Sequence, residues 1–251
     1  MDSEKLEEIK RILTVQRAAS VNELAEKLYV STATVRRALN ILEKDGVLKR
    51  THGGAVSVKN NDGEAAFNAR LMLNQPLKRR IAEAASLLIP DNSCVFMDSS
   101  SSVGCIVPYL ENFTSLKVIT NGIRTAYWLS QLKNVSVTIA CGEVENYGNS
   151  VLGSRTLDFI RTMSFDCSVI STSGVSKNGY FTDAHADQSE IKKYLLENSA
   201  KTVVLADSSK FFKTCLYKTF PCDKPDFLVT DRAPETDFSE SLRHCELIVA
   251  D

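Results

Sequence analysis

The sequence predicts two unlike domains in an overall α/β chain: a winged helix-turn-helix over residues 1–58 and a mostly parallel α/β domain over residues 75–251, joined by a connection over 59–74. Three observations predict this. Three short helical periodicities crowd into the first 44 residues and end in a strand–turn–strand pattern. From Gln75 onward, short apolar runs alternate with helical ones, as strands covered on both faces by helices do. Charge also divides along the chain. Residues 1–59 hold eleven Lys/Arg against eight Asp/Glu, within a total formal charge of -1, so a mildly basic head precedes an acidic body.

The first helix is marked by Leu6, Ile9 and Leu13 at helical spacing. Ser20-Val21-Asn22-Glu23 then spells a capping box, in which the serine hydroxyl and the glutamate carboxylate each accept a backbone N–H. Leu24, Ala25 and Leu28 supply the buried face of the second helix. A turn through Tyr29 and Val30 reaches Ser31, a good N-cap, and a third helix runs to about Lys44, where Gly46 stops it. Val35, Ala38, Leu39 and Leu42 fall on one side of that helix. Ala33, Arg37, Asn40 and Lys44 fall on the other, with Arg36 on the flank.

Arginine pairs bidentately with guanine and asparagine with adenine in the major groove, so this face suits base reading. Ser31, Thr32 and Thr34 at the helix start suit a phosphate. Taken alone, the same face reads more readily as the solvated side of a three-helix bundle than as a reading face. The segment that follows favours DNA. Val47–Arg50 and Ala55–Val58 read as strands around the turn Thr51-His52-Gly53-Gly54, which makes a basic wing carrying Lys49, Arg50 and His52. The expected partner is double-stranded DNA. The run VNELAEKLYVSTATVRRALNILEKDGVLKRTHGGAV closely resembles the DNA-binding domain of the DeoR family of repressors. That family usually has an acidic residue where this chain has Ala38.

In the larger domain the expected order begins with a helix at Pro76–Ile89 and a strand at Cys94–Met97. Helices around Val103–Leu110, Ile123–Leu132 and Thr156–Met163 lead to strands at Leu116–Ile119, Val135–Ala140 and Cys167–Ile170. A helix at Asp187–Asn198, strands at Thr202–Ala206 and Phe227–Thr230, and a last helix and strand ending at Leu247–Val249 complete it. Ligands of such sheets bind beyond the carboxyl ends of the strands, and the polar residues gather there. The exits read Asp98-Ser99-Ser100-Ser101-Ser102, Thr120-Asn121-Gly122, Cys141-Gly142-Glu143, Ser171-Thr172-Ser173-Gly174 and Asp207-Ser208-Ser209-Lys210. Hydroxyls and backbone N–H groups at the start of a helix after Asp98 would bind a small anion.

This region is similar to the sensor domain of the same family, which shares its fold with ribose-phosphate isomerases and glucosamine-phosphate deaminases. The family's Asp-Ser-Gly-[Ser/Thr]-Thr turn falls on Asp98–Ser102, its Thr-Asn on Thr120-Asn121, its double glycine on Cys141-Gly142, and its helix lysine on Lys78. Asp-Ser-Ser-Lys-Phe is intact at Asp207–Phe211. Ser100 and Cys141 replace glycines, and a family carboxylate is Gln188, next to Asp187. The resemblance implies a repressor of a carbohydrate-metabolism operon controlled by a phosphorylated sugar. The expected effector site comprises Lys78, Asp98, Ser99, Ser100, Ser101, Ser102, Asn121, Gly142, Asp183, His185 and Lys210. His185 also fits a merely exposed polar residue.

The competing class is a sugar-phosphate isomerase with an accessory DNA-binding head, for which Asp98, Asp183, Asp187 and Lys210 offer acid–base groups. The fused head favours the regulator, because a metabolic enzyme gains little from it. Seven cysteines without paired spacing and no signal peptide lead to an expectation of free thiols in the cytoplasm. Cys94, Cys105, Cys141 and Cys167 sit in apolar runs and read as core residues. No metal site or cofactor is expected, and no apolar run approaches the length that spans a bilayer. One reading helix and a wing make few contacts, so a homo-oligomer held by the larger domain is expected.

Overall fold

The computed structural model describes residues 3–16, 18–44, 48–51, 53–57, 67, 70–145, 149–234 and 236–250. The chain divides into two units, Met1–Arg70 and Leu71–Asp251.

In the first unit, α1 (Ser3–Gln16) and α2 (Val21–Lys27) precede α3 (Thr32–Lys44). Ile9, Leu13, Leu24, Val35, Ala38, Leu39 and Leu42 form one buried cluster, so the inward face read from the spacing of α3 is the one that packs. The capping box is formed: Glu23 N donates to Ser20 Oγ at 3.1 Å, and Ser20 N donates to Glu23 Oε2 at 2.7 Å. Such a cap stabilises a helix by about 1 kcal/mol. The wing strands are β2 (Leu48–Thr51) and β3 (Gly54–Ser57). A strand the sequence did not announce, β1 (Ala18–Ser20), pairs antiparallel with β3 and makes the sheet three-stranded, in the order β1-β3-β2. Gly54 permits it: a Cβ there would lie 2.2 Å from the carbonyl oxygen of Ala19. Gly46, His52 and residues 58–66 lie outside the described residues, as do the side chains of Lys44 and Lys49.

The second unit is built on a seven-stranded sheet in the order β15-β14-β12-β9-β4-β5-β6, parallel at every pairing. The strands are β4 (Ser93–Met97), β5 (Leu116–Thr120), β6 (Val135–Ile139), β9 (Cys167–Ser171), β12 (Thr202–Leu205), β14 (Phe227–Thr230) and β15 (Glu246–Val249). Alternation along them feeds two cores. Val95, Met97, Val203 and Leu205 join Ile81, Ala82 and Ala85 of α4 (Gln75–Ser86). Phe96 and Val204 join Ile160 of α7 (Ser154–Arg161) and Ile191 and Leu195 of α8 (Ala186–Asn198). Each of the larger of these side chains contributes about 1.5–3 kcal/mol on burial, and each alanine methyl less.

Three expectations need correction. The helix expected over Val103–Leu110 is a four-residue α5 (Ser101–Gly104) followed by a 3-10 stretch, Val107–Asn112. Pro108 explains the break, because it lacks the N–H an α-helix would direct to Gly104 and its ring clashes with that carbonyl. The last expected helix is likewise 3-10, at Thr236–Leu242. Cys141 is exposed rather than core, since it lies just past β6, the edge strand. The other helix is α6 (Ile123–Leu129). Two smaller sheets were not legible: the pair β7 (Glu143–Glu145) with β8 (Ser150–Leu152), and β10 (Gly174–Val175) with β11 (Tyr180–Asp183) and β13 (Tyr217–Pro221). All seven cysteines are free, and burial pushes the Cys167 thiol up to about 12.

Candidate functional site

On α3, Arg36, Arg37 and Asn40 are exposed on the side away from the buried cluster, as expected of a reading face. Ser31 Oγ accepts from Thr34 N at 3.2 Å and shares a 2.9 Å hydrogen bond with Thr34 Oγ1, which fixes the helix start; Thr32 is exposed beside it. Arg50 is not a free wing cation. Its Nη1 donates to Asn40 Oδ1 at 2.5 Å, and its backbone N donates to Glu43 Oε1 at 2.7 Å, so β2 is fastened to α3. Sequence reasoning read Tyr29 only as part of a turn. It holds a left-handed backbone (φ 52°) in the turn before α3 and is 95% exposed. An aromatic residue at positive φ is costly enough to be worth notice.

In the second unit the strand exits do converge, but as several groups. Asp98 is buried and accepts from Ser100 N at 2.8 Å and Ser171 N at 2.7 Å, so it staples the exits of β4 and β9 together. Burial raises its pKa, opposed by the charge of Lys192 and by these hydrogen bonds. Ser100 caps α5 by accepting Val103 N at 3.2 Å. With only four residues, α5 sums few peptide dipoles, so its N-terminus is a weaker anion site than a full helix would be. The cation at this exit is Lys78 of α4, which is 4% exposed and donates to Ser101 Oγ at 3.0 Å. Ser102 is buried alongside.

A second group centres on Ser99. Ser150 Oγ donates to Ser99 Oγ at 2.6 Å, and Gln188 Nε2 lies 3.2 Å from Ser99 Oγ and 3.1 Å from Ser150 Oγ. Asn121, fully buried, donates through Nδ2 to Val151 O, and its Oδ1 has no partner among the described residues. Gly142 (φ +150°) is required for packing, because a Cβ would sit 2.0 Å from Thr156 Oγ1 and 2.7 Å from Leu152 O.

Two expected site residues lie elsewhere. Asp183 accepts from Lys192 Nζ at 2.6 Å, Thr219 Oγ1 at 2.9 Å and Ser173 Oγ at 3.2 Å, a buried ion pair rather than an open ligand. His185 precedes α8 and pairs through Nδ1 with Glu145 Oε1 at 3.3 Å, beside a cavity of about 300 Å³ lined also by Glu143, Asp187, Leu152 and Gly153. Its acidic lining is a poor place for a phosphate. Lys210 ends the half-buried turn Ser208–Lys210, which Asp231 holds by accepting Ser208 N at 2.6 Å.

Residues 73–232 match the DeoR C terminal sensor domain, and residues 6–61 match the DeoR-like helix-turn-helix domain. The chain belongs to the DeoR family of transcriptional regulators. It binds DNA through its N-terminal helix-turn-helix. Among similar proteins, the HTH-type transcriptional regulator GolR of Listeria innocua is 30% identical over 91% of this chain and 90% of its own. The L-fucose operon activator of Haemophilus influenzae is 33% identical over 87% of each. The Glycerol-3-phosphate regulon repressor of Escherichia coli is 27% identical over 86% of this chain and 85% of its own. A ribose 5-phosphate isomerase from Methanocaldococcus jannaschii aligns over 55% of each chain with 16% identity and a TM-score of 0.41. That score is too low to rest anything on, and the fold rests on the strand order itself.

Within this DeoR-family sensor, Ser150, Lys192 and Asn74 escaped sequence reasoning. Asn74 holds a left-handed backbone (φ 55°) just before α4, and its Nδ2 lies 3.1 Å from Asp207 Oδ1 and 3.2 Å from Ser209 Oγ. An asparagine before a proline-bearing helix start was the available signal. Among the described residues no helix is long and apolar enough to cross a membrane.

Proposed function

We propose that the chain represses a carbohydrate-metabolism operon and that a phosphorylated sugar, bound at the strand exits of the sensor unit, changes its affinity for the operator. The observation that carries this reading is the buried ammonium of Lys78 beside Ser101, at the same strand exits as Ser99, Ser102 and the unsatisfied Oδ1 of Asn121. A buried acceptor without a donor costs about 1–3 kcal/mol. A sugar hydroxyl supplies that donor, and the ammonium suits a phosphate. An L-fucose operon activator and a Glycerol-3-phosphate regulon repressor among the similar proteins support the carbohydrate-metabolism part of this reading. In this reading two or more copies bind together through their sensor units, since one head makes few contacts with DNA.

A thermal-shift series on the full chain tests it, with each sugar phosphate paired with its unphosphorylated sugar. A true effector at one hundred times its Kd stabilises the native state by about 2.7 kcal/mol, and the same compound should shift an operator-binding titration. Equal shifts from the phosphorylated and unphosphorylated partners would refute the phosphate assignment. Turnover of a sugar phosphate by the purified chain would replace the regulator reading with the isomerase one.

A further inference from the structure

An asparagine on a reading helix is expected to recognise adenine, because its amide offers one acceptor and one donor to match adenine N6 and N7. The surroundings of Asn40 alter that expectation. Its acceptor, Oδ1, already takes a 2.5 Å charge-assisted hydrogen bond from Arg50 Nη1. A guanidinium only donates, so the amide must turn its oxygen to Arg50, and the group left for DNA is the NH2. The bond is held from the wing side as well, because Glu43 Oε1 accepts the backbone N–H of Arg50 at 2.7 Å and pins β2 against α3.

We infer that Arg50 is a specificity-determining residue that turns Asn40 into a donor-only reader, so that the pair selects guanine rather than adenine. Asn40 Nδ2 and the Nη groups of Arg50 offer donors only, while Arg50 Nε is buried without a partner among the described residues. In the major groove guanine presents two acceptors side by side, N7 and O6. Adenine presents N7 beside an amino donor, which would meet the guanidinium donor to donor. Arg50 therefore acts in the groove through Asn40, beyond any charge it adds to the wing.

The test begins with operators selected from randomised DNA by the wild-type full chain and by Asn40→Ala. The base pair whose preference flattens in Asn40→Ala is the one Asn40 reads, and wild type should favour guanine there over adenine by roughly tenfold. Arg50→Met frees Oδ1 and should move the preference at that one pair towards adenine, whatever it does to overall affinity. A loss of wing charge or phosphate contact would lower affinity for every sequence alike and leave the ratio unmoved. If Arg50→Met does not fold, base analogues on the wild-type protein decide. Replacing that guanine by 2-aminopurine, which keeps N7 but lacks O6, should weaken binding about tenfold. Adenine selected by wild type, a guanine preference unchanged in Arg50→Met, no cost from 2-aminopurine, or no position flattened in Asn40→Ala would each overturn the inference.

Discussion

Lys192→Met is the substitution whose cost the structure specifies most closely. Lys192 and Asp183 are almost fully enclosed, with side chains 7% and 3% exposed. The charge of Lys192 also acts on Asp98, which is itself buried. One cation thus serves two buried carboxylates. Removing a partner from a buried pair typically costs about 3–5 kcal/mol. Lys192→Met should sit at the upper end of that range, since it strands both carboxylates. Asp183→Asn should cost less, because Lys192 keeps Asp98, and the asparagine oxygen can still accept from Thr219 or Ser173.

The same reasoning fixes a pH dependence. Asp98 has a folded pKa already raised above its unfolded value by burial, and Lys192 opposes that rise. Without the lysine it rises further. A carboxylate with a raised folded pKa contributes stability below its unfolded pKa and loses it as pH climbs through the folded value. The Lys192→Met deficit relative to wild type should therefore be smaller at pH 5 than at pH 8. Urea unfolding followed by the fluorescence of Trp128, the single tryptophan, reports the sensor unit selectively. A cost below about 1 kcal/mol for Lys192→Met, set against the range for buried pairs, would refute the reasoning. So would Asp183→Asn proving the more damaging of the two.

Further outcomes follow from other contacts. Lys78→Met should leave operator binding intact while weakening any sugar-phosphate thermal shift at least tenfold in apparent Kd, as loss of one charge-assisted contact implies; an unchanged shift would remove Lys78 from the site. Asn74→Gly keeps the left-handed backbone but deletes the bonds to Asp207 and Ser209. It should bind effector and operator separately as wild type does, yet respond to effector more weakly in a combined titration; a full response would show that this tie plays no part in signalling. Gly54→Ala would force a Cβ against Ala19 and break the pairing of β1 with β3. Overpacking of this kind costs about 1–3 kcal/mol, and operator affinity should fall while the Trp128-monitored transition stays put.

Sequence alone determined the two-part architecture and the inward face of the reading helix, because these depend on local periodicity. Val35, Ala38, Leu39 and Leu42 must share a side whatever surrounds them, and Ser20 with Glu23 forms its box from residues three apart. The strand exits were legible for the same reason: each polar group directly follows its own apolar strand. Tertiary structure decided which of those groups meet. Asp183 and Lys192 are held together by the fold of α8 against β11, and nothing in either segment announces a buried ion pair. Gln188, Ser99 and Ser150 come from three separated segments, and Asn74 meets Asp207 and Ser209 from a second segment. Most decisive is the bond from Arg50 to Asn40, made between a wing strand and a helix. A side chain's hydrogen-bonding character depends on the partners it already has. Those partners are set by packing between distant segments, which no local pattern of residues encodes.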